Sequence, residues 1–142
     1  MTPAKNSVFR RIPLFASLSP AEIEAIVERA IERRFAAGEV LFHEGEDCRG
    51  LYLLGQGSVK IFKTSGTGRE VMLAIETAPS SVAEVPLFDG GPYPATASAV
   101  GPVTAYLLTK QDFHHVCRTH CEVPLKVLAV VGHRLRHLVQ FE

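Results

Sequence analysis

The pattern of apolar and polar positions divides the 142-residue chain into a helical start, a long β region and a helical end. Behind a polar, mixed N-terminal dozen, Ile12-Pro13-Leu14-Phe15 forms a short apolar anchor. Ser19-Pro20-Ala21-Glu22 has the form of a capping box. The Ser19 side chain can accept from the third backbone N–H, Pro20 suits the first helical position, and Glu22 can reach back. Leu18 and Ile23 would add a hydrophobic staple. Ile23, Ile26, Val27, Ala30 and Ile31 recur on one face at a period of 3.6, which predicts a helix across them.

From Phe35 to Leu108 the pattern turns to β. The runs Glu39-Val40-Leu41-Phe42, Leu51-Tyr52-Leu53-Leu54, Val59-Lys60-Ile61-Phe62 and Val71-Met72-Leu73-Ala74-Ile75 are punctuated by Gly38, Gly45, Gly50, Gly55, Gly57, Gly66 and Gly68. Short strands at this spacing predict an antiparallel sandwich or barrel, with Thr64-Ser65-Gly66-Thr67-Gly68 as a hairpin loop. Thr109-Lys110-Gln111-Asp112 then predicts a helix start, Thr109 as cap and Asp112 as the acidic third residue, for a short helix to about Arg118. A second helix follows from the Cys121 to Pro124 region to the chain end, since a first-turn proline loses no intrahelical bond.

On that last helix Lys126, His133, Arg136, His137 and Gln140 gather on one polar face. Val127, Leu128, Val130, Val131, Leu135, Leu138, Val139 and Phe141 spread over the rest. The apolar arc is roughly 200° wide, where a helix lying on one core needs about 100°. The surplus predicts a homodimer through this helix, with Leu128, Val131, Leu135 and Leu138 in the interface and Gly132 allowing close backbone approach. The pattern stops at Glu142 without a Gly or Asn cap, which reads as a cut inside a longer helix.

Composition narrows the function classes. The chain is long enough for one domain with a real core, and 46% apolar with 21% charged residues is ordinary globular composition. Fifteen basic residues balance fifteen acidic ones, which argues against nucleic-acid binding by this chain itself. No apolar run reaches the ~20 residues of a membrane span, and no signal-peptide core follows Met1, so a cytoplasmic protein without membrane contact is expected. Cys48, Cys117 and Cys121 form no disulfide-like set, which fits a reducing compartment. Neither a nucleophile elbow, a zinc-protease helix nor a phosphate loop occurs, so an enzyme is not expected.

Three pieces in order resemble the N-terminal sensor domain of Crp/Fnr-type bacterial transcription regulators. They are the Ile12 to Phe15 anchor with its helix, the glycine-punctuated β region (notably residues 38–45 and 51–61), and the stretch Val82-Ala83-Glu84-Val85-Pro86-Leu87-Phe88 followed by Pro94-Ala95-Thr96-Ala97. The resemblance covers the chain from about Ile12. It implies a mainly β fold, an eight-stranded jelly roll with flanking helices: residues 1–120 as the cyclic-nucleotide-binding-like β-roll, and residues 121–142 as the start of a dimerisation helix. A winged helix-turn-helix would bind promoter DNA from beyond Glu142. The family also implies a ligand pocket, here Val82, Ala83, Glu84, Tyr93, Ala95, Thr96 and Ala97, walled by Arg134, Leu135 and Leu138 of the last helix.

The family's cyclic-nucleotide binders open this cassette with Phe-Gly-Glu and close it with Arg-Ser/Thr-Ala. Glu84 matches the acceptor for the ribose hydroxyl, and Thr96-Ala97 match the end. Ala83 stands at the glycine, Pro86 removes an N–H, and Ala95 stands at the arginine that would grip the phosphate. A buried phosphate without that partner loses a charge-assisted bond of about 1.5–3 kcal/mol. The effector is therefore unknown and a cyclic nucleotide is not expected, unless another basic residue such as Arg134 substitutes. A small hydrophobic or aromatic effector, or a pocket packed shut, are the alternatives.

Other chemistries have weaker signals. The iron–sulfur branch of the family needs an N-terminal cysteine cluster, and no cysteine precedes Cys48. His114, Cys117 and Cys121 would share a face only on an unbroken helix, so no metal site is assigned. His133 and His137 have chelating spacing but sit among polar residues, and His43 lies near Glu44 and Glu46; a haem-binding sensor stays an alternative because some family members sense gases through haem. A regulatory module of a non-DNA-binding protein, such as a kinase or transporter, is the other. Tyr93 between Pro92 and Pro94 reads more simply as a turn aromatic.

Overall fold

The computed structural model describes residues 5–140, without the side chain of Gln140; Phe141 and Glu142, which the sequence pattern places at the end of the last helix, lie outside the described residues. The helical start is α1 (Lys5–Arg10), a 3-10 turn (Pro13–Phe15) and α2 (Pro20–Arg29). The capping box forms as the sequence predicts: Glu22 N–H donates to Ser19 Oγ at 3.2 Å and Ser19 N–H to Glu22 Oε1 at 2.8 Å. Lys5 Nζ donates to the Val27 and Ala30 carbonyls at the other end of α2, where backbone acceptors run out of intrahelical partners. Two details differ from the sequence reading. The N-terminal dozen contains α1, whose Val8 and Phe9 are buried, Phe9 edge-on to Tyr106 at 5.3 Å. Ile31 does not continue α2: Ala30 is already extended, and Ile31 opens a strand opposite Leu107.

Eight strands follow: β1 (Ile31–Phe35), β2 (Val40–Phe42), β3 (Gly50–Gln56), β4 (Ser58–Thr64), β5 (Glu70–Thr77), β6 (Ser80–Val82), β7 (Thr96–Ala99) and β8 (Val103–Thr109). They make two four-stranded antiparallel sheets, in the orders β1-β8-β3-β6 and β2-β7-β4-β5, the jelly-roll arrangement that the resemblance implies. One helical turn or two, α3 (Val85–Asp89), links β6 to β7, and α4 (Lys110–Thr119) and α5 (Val123–Gln140) close the chain. Thr109 caps α4 by accepting from the Asp112 N–H at 3.1 Å.

Strand period explains the two cores. Leu51 and Leu53 of β3, with Tyr106 and Leu108 of β8, face the helices and join Phe9, Phe15, Ile26, Phe113 and Val127. Tyr52 and Leu54, with Val103, Ala105 and Leu107, face the second sheet and meet Phe42, Val59, Tyr93 and Ala97. Buried on both faces, β3 and β8 read as continuous apolar runs. Gly50 is needed at the start of β3, because a Cβ there would collide with the Leu108 carbonyl. β5, at the edge of the second sheet, is the exception: Val71, Met72, Leu73 and Ile75 are all exposed.

Candidate ligand cavity

Phe42 stands between two cavities of similar size. The first, of about 240 Å³, lies between β4, β5, β6 and the turn into α3, with Ile61, Val82, Ala83, Glu84 and Ala95 among its walls. The second, of about 210 Å³, is lined by Leu41, His43, Glu46, Arg49, Tyr52 and Tyr93. Their polar atoms are treated differently.

Around the second cavity, internal bonds satisfy both tyrosine hydroxyls and tie Glu46 to the backbone. Tyr93 Oη donates to the Gly50 carbonyl at 2.9 Å and accepts from the Arg49 and Gly50 N–H groups at 3.1 and 3.3 Å. Its ring stacks on Phe42 at 4.0 Å, and burial pushes its hydroxyl well above the usual tyrosine range. Tyr52 Oη donates to the Leu41 carbonyl, and Glu46 accepts from the His43 N–H. Tyr93 is thus a core residue that fastens the turn before β7 to the start of β3, rather than a turn aromatic or a wall of the first cavity.

The first cavity contains the cassette. β6 ends at Val82, Ala83 takes a left-handed φ of 73°, and α3 begins at once with Pro86 in its first turn. A non-glycine residue in that region carries about 1–3 kcal/mol of strain, so the turn shape belongs to a glycine although alanine occupies it. Glu84, directly before α3, points its carboxylate to α5: Arg134 Nη1 donates to Glu84 Oε1 at 2.6 Å. The other oxygen, Oε2, is buried and has no hydrogen-bond partner among the described residues. Ser81 Oγ is the other such atom, but Ser81 pairs with Leu53, whose side chain lies in the helix-side core, so the register turns its hydroxyl away from the sheet interior.

The remaining residues named from sequence fall in different places. Thr96 accepts from the Glu44 N–H at 2.9 Å and Ala97 is buried between the sheets; neither lines the cavity. Arg134 touches the site through Glu84 only, and Leu135 and Leu138 lie outside the lining, 62% and 70% exposed. Leu128 is also exposed, whereas Val131 packs partly on the domain's own core. Sequence reasoning missed Phe42, Ile61, Ala74 and Glu76 as cavity walls, because strand pairing brings them there from across the second sheet.

Cys117 is half-buried on α4, where desolvation raises its thiol above the ordinary value, and Cys121 is exposed past the break at His120. Among the described residues no three His, Cys, Asp or Glu side chains come together as metal ligands, and no helix is long and apolar enough to cross a membrane.

Residues 32–120 match the model of the cyclic nucleotide-binding domain. The chain belongs to that family. The N-terminal domain of a transcriptional regulator from Streptomyces coelicolor A3(2) is 36% identical, with a TM-score of 0.82 over 95% of this chain and 94% of that one. The sensor domain of the transcriptional regulator DNR from Pseudomonas aeruginosa is 25% identical, with a TM-score of 0.81 over 96% and 92%. The CRP-like cAMP-activated global transcriptional regulator of Mycobacterium tuberculosis is 28% identical over 92% of this chain and 58% of its own length. The chain therefore spans less than two thirds of the curated relatives it matches. Within the family it resembles the sensor domains of Crp/Fnr-type regulators.

A cyclic nucleotide is the ligand the family name implies, and the cavity residues fit it poorly. No Lys, Arg or His lines the walls, and two carboxylates, Glu76 and Glu84, do. The Ala95 side chain carries no donor, Pro86 has no N–H, and Arg134 is already committed to Glu84.

Proposed function

We propose that the chain is the ligand-sensing and dimerisation domain of a cytoplasmic Crp/Fnr-type transcription regulator. In this reading residues 1–120 sense, residues 121–142 dimerise, and a DNA-binding domain outside this chain is controlled. The effector is a small molecule other than cyclic AMP. One observation supports the reading above the rest: the carboxylate of the cavity wall holds the helix that carries the unpartnered apolar surface, through the 2.6 Å Glu84–Arg134 bond.

The mechanism follows from that bond. A ligand can shift the domain only by its differential affinity for two arrangements of α5. A molecule that engages Glu84 competes with, or reinforces, the Arg134 contact, and α5 responds where Leu135, Leu138 and Val139 are exposed. Coupling of this kind is typically worth about 1–3 kcal/mol. The homodimer supplies the second apolar surface those residues need, and it transmits the change to both protomers.

Leu138→Glu is expected to give monomers by sedimentation, because it places a charge in the interface without touching the buried core; a dimer mass equal to that of the wild type would contradict the reading.

A further inference from the structure

Resting on the sensor reading, the cavity chemistry also identifies the class of effector. We infer that the site takes a compact, mainly apolar molecule ending in one hydrogen-bond donor, neutral or cationic, and that it rejects anions. The walls are apolar on most sides: Phe42, Ile61, Ala74, Val82 and Pro86 surround a space of about 240 Å³. Cavities of about 150 Å³ lined by apolar side chains bind benzene, so a single substituted ring or its aliphatic equivalent fits.

The polar end is set by Glu84 Oε2. Its partner oxygen is bonded to Arg134, while Oε2 is buried without a donor. A buried acceptor left unpaired is costly, and a turn of the Glu84 side chain that brings this solvent-inaccessible oxygen to a ligand O–H or N–H in the cavity removes that cost. Charge decides the sign. The titratable groups on the lining are Glu76 from β5 and Glu84, and Glu76 Oε2 is satisfied by the Ser80 hydroxyl at 2.8 Å. Arg134 is the nearest cation bonded to either, and it neutralises one carboxylate of the two. An incoming carboxylate or phosphate would meet uncompensated negative charge in a partly desolvated space. An ammonium or hydroxyl meets an acceptor.

The test uses four probes on one skeleton: benzylamine, benzyl alcohol, toluene and benzoate, each titrated into the chain by calorimetry and by amide chemical shifts. Benzylamine and benzyl alcohol are expected to saturate the cavity, with shifts at Val82, Ala83 and Ala95. Toluene should bind several-fold more weakly, and benzoate at least tenfold more weakly. Glu84→Gln should lower benzylamine affinity at least tenfold, and Glu76→Gln by less. Benzoate binding as tightly as benzyl alcohol, or no saturable binding of either donor to the wild-type chain, would overturn the inference even if the variants fail to fold. Donor binding that leaves the α5 amides and the dimer unchanged would instead sink the sensor reading and leave the ligand class standing.

Discussion

Two carboxylates grip α5 about two turns apart, and they do different work. Glu22 bonds Lys126 at 2.8 Å and Glu84 bonds Arg134 at 2.6 Å. Glu22 also accepts from the Ser19 N–H in the capping box, and it sits where Val123 and Val127 of α5 are fully buried. Glu84 keeps one oxygen unpaired in a cavity wall, where α5 has already turned its leucines to solvent. A carboxylate bonded by two donors beside a packed segment fixes a helix; one bonded by a single donor beside a cavity leaves it free to respond. The first part of α5 is an anchor and the second part a lever.

Substitutions can break this contrast in order of size. Val127→Ala should cost about 2 kcal/mol in a denaturant titration, since a wholly buried side chain on the anchor is cut back. A loss under about 0.5 kcal/mol would mean the anchor is not packed as described. Lys126→Met should cost about 1 kcal/mol at neutral pH, where it strips a charge-assisted partner from buried Glu22. The Lys126 bond, then the Ser19 N–H, hold the Glu22 carboxyl below its ordinary 4.5. Its stabilisation is therefore complete above that value and is lost as pH falls through the lowered one. The difference between wild type and Lys126→Met should shrink as pH falls below the ordinary 4.5 and through the lowered value; a constant difference would show that Glu22 is not the group involved. Arg134→Met should cost least, under about 1 kcal/mol, because its ion pair is partly in water. A loss matching that of Val127→Ala would make the lever an anchor too.

Much of the anchor was legible in the sequence, and little of the lever was. Ser19 and Glu22 announce a capping box through local spacing alone, and Thr109 with Asp112 announces α4 in the same way. Lys126 reads only as part of a polar face, because its partner lies 104 positions earlier. Arg134 is named beside Glu84 through the family resemblance, yet their bond spans 50 positions and no local pattern encodes it. Tyr93 misleads for the same reason: two flanking prolines suggest a turn, while its hydroxyl closes on Gly50, 43 residues away. Ile31 keeps the helical period of α2 but is claimed by strand pairing with Leu107, a tertiary override of a local preference. The exposed β5 shows the converse, an apolar run that predicts a strand without saying what covers it.

The central claim is that the cavity and the lever are one device joined at Glu84. Hydrogen exchange along α5 in the wild type and in Glu84→Gln tests it most directly, with no ligand required. Faster exchange is expected around residues 130–138 of the variant, with β3 and the Lys126 turn unchanged. Identical exchange along the whole of α5 would show that the cavity wall does not hold the helix.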